Sequence, residues 1–72
     1  MTPDEYRETL KRLDLTQVGA AAFLGVNGLT SRRWATGKAE IPQSAAMLLR
    51  LMVAMKLTPQ KVQEWLSEPM ST

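Results

Sequence analysis

The sequence predicts an all-α chain of five helices, and three features carry that prediction. Apolar residues return at three- and four-residue intervals over most of the chain. Helix-start residues stand before these runs, and glycines follow two of them. No segment alternates apolar and polar side chains as a half-buried strand would. The first helix is placed at residues 3–13. Thr2 can cap it, Pro3 suits the first position, and Glu5 completes a capping box. Tyr6, Leu10 and Leu13 then recur on one side.

The second helix opens at Thr16, a good N-cap, with Val18, Ala21 and Leu24 as its apolar face and Ala20 nearby. Gly19 inside it costs up to about 1 kcal/mol relative to alanine. Small residues at 19–22 let another helix come close. The run Gly25-Val26-Asn27 ends the segment: Gly25 suits the left-handed conformation and Asn27 can cap the next helix. The third helix is placed at 28–36, with Gly37 at its end and Lys38 near its negative pole. Trp34 is its apolar anchor; Thr30, Ser31, Arg32 and Arg33 give it a basic, hydroxyl-rich surface.

The fourth helix starts at Ile41-Pro42. Ala45, Leu48, Leu49 and Met52 form one stripe, and Met47, Leu51 and Met55 a second. Arg50 is almost the only strongly polar residue after Ser44. A helix apolar on nearly every side must be covered on nearly every side. Two readings remain: a central core helix, or an interface with a second copy. Thr58 and Pro59 open a last helix with Val62, Trp65 and Leu66 along one side. Residues 1–68 read as a single domain, and 69–72 as a tail expected to fray.

Bulk properties narrow the function. A 72-residue chain buries only about 60% of its unfolded surface, so helix packing or a second copy must stabilise it. The chain has neither cysteine nor histidine, which removes disulfides, argues against a zinc site, and leaves no thiol nucleophile or imidazole base. The four glycines, at 19, 25, 28 and 37, form no phosphate loop. An enzyme, a metal and a cofactor are therefore not expected. The acidic start Met1-Thr2-Pro3-Asp4-Glu5 is no secretory signal, and no apolar run is long enough to span a bilayer, so a cytoplasmic, membrane-free protein is expected. Net charge is only +2, but no acid stands between Asp14 and Glu40, where Arg32, Arg33 and Lys38 fall. Such a segment suits a phosphate-facing surface.

Residues 15–42 carry a resemblance. Leu15-Thr16-Gln17, Ala21, Leu24-Gly25-Val26-Asn27, Thr30, Arg33-Trp34 and Gly37-Lys38 are similar, in register, to the Cro/C1-type, phage-repressor-like helix-turn-helix family. Trp34, Gly37, Ile41 and Pro42 match a run that recurs in small phage and mobile-element regulators. In size and layout the chain also resembles anti-CRISPR-associated autorepressors. Departures are Ser31 where an aliphatic residue is usual, Ala35 where glutamate is usual, and Ala20 for a leucine that Phe23 or Leu29 can replace.

The resemblance implies a five-helix lambda-repressor-like DNA-binding domain, its helix-turn-helix at about 16–37, acting as a dimeric repressor on an inverted-repeat operator in double-stranded DNA. Base contacts are expected from Arg33, Arg32, Leu29, Gly28 and Asn27. Gln17, Thr16, Thr30, Ser31, Lys38 and Ser44, with N–H groups at the start of the fourth helix, are expected at phosphates. Met47, Leu51, Met55, Val62, Trp65 and Leu66 are the expected dimer contacts. Alternatives are a protein-interaction module such as an antitoxin or adaptor, and an excisionase-like architectural DNA binder.

Overall fold

The structure, a computed structural model, describes residues 1–67. Among these residues the chain forms five helices and no strand: α1 (Pro3–Arg12), α2 (Gln17–Leu24), α3 (Gly28–Thr36), α4 (Gln43–Ala54) and α5 (Pro59–Ser67). The fraying expected of 69–72 lies outside the described residues. No helix among the described residues is long and apolar enough to cross a membrane.

Side-chain caps set most of the boundaries. At α1 the Thr2 hydroxyl accepts from the Glu5 N–H at 3.1 Å, and the Glu5 carboxylate accepts from the Thr2 N–H at 3.4 Å. Thr16 accepts from the Gly19 N–H at 2.9 Å, Asn27 from the Thr30 N–H at 2.8 Å, and Thr58 from the Lys61 N–H at 3.0 Å. These bonds satisfy donors that a helix start leaves open. Gly25 and Gly37 close α2 and α3 at φ 75° and 80°, a region costly for residues with a Cβ. Asp14 and Lys56 take similar angles, φ 57° and 56°, after α1 and α4.

Packing follows from the faces these helices present. Tyr6, Leu10 and Leu13 from the α1 segment meet Ala20, Trp34, Ala35, Leu49, Met52 and Val62 in one core. The α3 helix packs on both α1 and α2, and α4 packs on α1. Small side chains at Ala20, Ala21 and Ala35 allow close helix approach, and the Trp34 ring stands edge-on to Tyr6 at 5.8 Å and 88°. Phe23 is half-buried against the core, whereas Leu29 points outward.

Four expectations are corrected. Val18 does not belong to the inner face of α2; it is 66% exposed, while Ala21, as expected, and Ala20 are buried. Of the α4 stripe expected at Ala45, Leu48, Leu49 and Met52, Leu49 and Met52 are buried, but Ala46 completes the buried face and Leu48 is exposed, because α1 lies on that side. Val62 is buried in this chain's own core and is not available as a dimer contact. Ser31 is fully buried, so it cannot meet a phosphate. Its hydroxyl is instead hydrogen-bonded to the Tyr6 hydroxyl at 2.6 Å.

Candidate functional site

Burial of Ser31, Trp34 and Ala35 fixes which side of α3 faces outward. At about 100° per residue, Leu29 and Arg33 then lie one above the other near the middle of the outer side, with Gly28 and Arg32 on its flank. Leu29 is 53% exposed, and both arginines are exposed. Nothing lies within 4 Å of the place where a Cβ on Gly28 would sit, so the leading turn of α3 is open. Asn27 uses its side-chain oxygen as the cap, accepting from both the N–H and the hydroxyl of Thr30. That arrangement spends the Thr30 hydroxyl proton inside the chain and weakens the case for Thr30 as an outward donor.

Charge is partitioned between surfaces. Arg7 pairs with Asp4, Arg12 with Glu8, Arg50 with Glu5 at 3.1 Å, and Lys61 with Glu64. Among the described residues Arg32, Arg33 and Lys38 have no carboxylate partner, and α3 itself carries no acid. The acids of α1 are thus matched within the fold, while the α3 cations project unmatched into solvent. Glu5 is held below the ordinary glutamate range by the hydrogen bond from Arg50 and then by the Thr2 N–H. Burial pushes the Tyr6 hydroxyl above the usual tyrosine value, with the Ser31 contact opposing that shift.

Further donors line two grooves outside α3. Thr16 and Gln17 line a shallow groove between the end of α1 and the start of α2, together with Arg7, Lys11 and Asp14. Lys11 has no ion pair among the described residues and was not foreseen as part of this surface; the turn after α1 places it on the same groove as Gln17. Ser44 is exposed and lines a second groove with Leu24, Val26, Trp34 and Pro42, beside the turn from α2 to α3. The α4 start has no side-chain cap, so its leading N–H groups are open to an outside acceptor. Lys38 comes directly after the left-handed Gly37 and is exposed.

The remaining expected contact residues lie on α4, its C-cap and α5. Met47, Leu51 and Met55 recur every four residues on the side of α4 opposite Ala46 and Leu49, and are 59%, 54% and 60% exposed. Trp65 and Leu66 on α5 are also exposed. Chemically, the outer side of α3 offers fixed positive charge and hydrogen-bond donors, and the outer sides of α4 and of α5 each offer apolar area. No family model, curated protein or solved structure matches the chain.

Proposed function

We propose that this chain binds double-stranded DNA sequence-specifically as a dimeric transcriptional repressor. In this reading the domain is lambda-repressor-like and α2, the 25–27 turn and α3 form its helix-turn-helix. The observation that carries it is the contrast in charge: Arg32 and Arg33 stand exposed and unpaired on α3, while Arg7, Arg12 and Arg50 each hold a carboxylate. A helix about 10–12 Å across fits a major groove about 12 Å wide. Arg33 would read guanine through two parallel hydrogen bonds, Arg32 a neighbouring base or phosphate, and Leu29 an adjacent apolar edge, with Gly28 and Asn27 at the leading turn. Gln17, Thr16, Lys38, Ser44 and, in addition, Lys11 would hold phosphates and set the register.

Two copies joined through Met47, Leu51, Met55, Trp65 and Leu66 would address an inverted repeat with half-site centres about 10 base pairs, or a multiple, apart. Occupying a promoter then blocks transcription, and the setting proposed is autoregulation of a phage or mobile-element operon. The test is a mobility-shift titration of the full chain on the DNA upstream of its own gene, scanned by base substitution and by salt. Expected are a sequence-dependent shift, affinity that falls steeply with salt, and a loss of about 1–3 kcal/mol for Arg33→Ala. Binding indifferent to both sequence and Arg33 defeats the reading. The exposed apolar side of α4 and α5 favours a second reading, a protein-interaction module, whose partner binding would respond little to salt.

A further inference from the structure

We propose that the buried Tyr6–Ser31 hydroxyl pair fixes the roll of α3 about its own axis, making Tyr6 and Ser31 positioning residues for base discrimination. This rests on the DNA-binding reading above. The nine residues of α3 are too few to hold a helix alone, so its placement is decided by what its inner side touches. That side presents Ser31, Trp34 and Ala35. Side-chain contacts of Trp34 and Ala35 are apolar and change gradually as a helix turns or slides. The bond between two buried hydroxyls does not: at 2.6 Å, a displacement of about 1 Å breaks it and leaves two polar groups unsatisfied in the core. No buried side-chain N or O atom among the described residues lacks a partner, so the pair is matched in this arrangement.

The bond is anchored on the α1 side by its neighbours in sequence. Glu5 holds Arg50 of α4, Tyr6 holds Ser31 and stands edge-on to Trp34, and the Arg7 guanidinium donates to the Ala35 carbonyl near the end of α3. Tyr6 and Arg7 therefore tie the middle and the end of α3 to α1, and Glu5 ties α1 in turn to α4. Arg32 and Arg33 come directly after Ser31, so any roll that breaks the bond also swings their guanidinium groups. A roll of about 20° moves a side-chain tip at the roughly 5–6 Å helix radius by about 2 Å, enough to spoil a two-bond contact with a base edge. Contacts to phosphates by flexible side chains absorb such a shift. Loss of the pair should therefore lower the preference for one sequence while sparing general affinity for DNA.

The experiment selects a preferred duplex from a random-sequence DNA pool with the full wild-type chain. Affinity for that duplex and for a scrambled one is then measured with Tyr6→Phe, Ser31→Ala and the double variant. Circular dichroism sets a temperature at which each is folded. Each single variant is expected to lower the selected-to-scrambled affinity ratio on the order of tenfold, comparable to losing one base-pair reading, with scrambled binding unchanged. The double variant should fall no further than the worse single. Tyr6→Phe keeps the ring and its packing, so it remains informative if Ser31→Ala does not fold. Without DNA, Tyr6→Phe should speed amide exchange in α3 relative to α4. A lowered melting temperature with an unchanged ratio shows a purely structural role and overturns the proposal alone. A wild-type chain that selects no sequence overturns the DNA-binding reading and this one together.

Discussion

Gly25 and Gly37 offer a paired perturbation whose difference can be worked out in advance. Both end a helix at nearly the same left-handed angle, φ 75° and 80°. Placing a Cβ there costs about 1–2 kcal/mol at either site, through the clash of the Cβ with the backbone. The surroundings differ. Around Gly25 nothing lies within 4 Å of an added Cβ, whereas at Gly37 it would stand 3.2 Å from the Pro3 ring. Pro3 is tied into the first turn of α1, so it yields only if that turn shifts; about 0.5–1 kcal/mol more is a reasonable cost, at the low end of overpacking. Gly25→Ala should therefore lose about 1–2 kcal/mol, and Gly37→Ala about 0.5–1 kcal/mol beyond that. A domain of this size has about 4–11 kcal/mol in total, and each kcal/mol moves its Tm by about 4–8 °C. Urea and thermal unfolding monitored by circular dichroism measure both losses. Pro3→Ala in the Gly37→Ala background should recover the excess, as coupled neighbours do. Equal losses at the two glycines, or no recovery on removing the Pro3 ring, would refute the contact between the end of α3 and the start of α1.

Other outcomes rest on the same geometry. Leu51→Lys, at a site already 54% exposed, should change the stability of the isolated chain by less than about 0.5 kcal/mol yet shift sedimentation toward a monomer; an unaltered dimer would place the interface elsewhere. Lys56 holds a left-handed φ of 56°, so Lys56→Gly should raise stability by up to about 1 kcal/mol in denaturant titration, and a loss there would contradict that turn. The Glu5 carboxyl sits below its ordinary value of 4.5, first because of the bond from Arg50. A depressed folded value contributes stability above the unfolded pKa that is lost as pH falls through the folded one. A carboxyl NMR titration should therefore give a Glu5 midpoint under 4.5 that Arg50→Gln raises, and a midpoint indifferent to Arg50 would remove that ion pair from consideration.

How much of the fold is legible in the sequence depends on the range of the interaction involved. Thr2 with Glu5, Thr16, Asn27 and Thr58 announce helix starts because a short polar side chain reaches a backbone donor only two or three residues on. The acid-free stretch holding Arg32, Arg33 and Lys38 is readable for a similar reason: charges on a short segment stay together however it is packed. The inner side of α4 is not readable. Ala45, Ala46, Met47, Leu48 and Leu49 are apolar in succession, so the period that marks a buried face is missing, and the position of α1 makes the choice. Ser31 misleads because a serine beside two arginines has the composition of a polar surface; nothing local shows that Tyr6, twenty-five residues earlier, supplies its partner. Lys11 escapes notice because the groove it shares with Gln17 is formed across two helices.

By itself, then, the sequence determined five helices, their caps, the two left-handed glycine ends, and a segment of unopposed positive charge, since each depends on chemistry within a few residues of chain. The tertiary structure decided which way each helix is turned: Ser31 inward to Tyr6, Val18 outward, Val62 into the core, and Met47, Leu51 and Met55 away from it. Helix rotation is set by contacts between distant segments, where one buried hydrogen bond can outweigh the average polarity of a face.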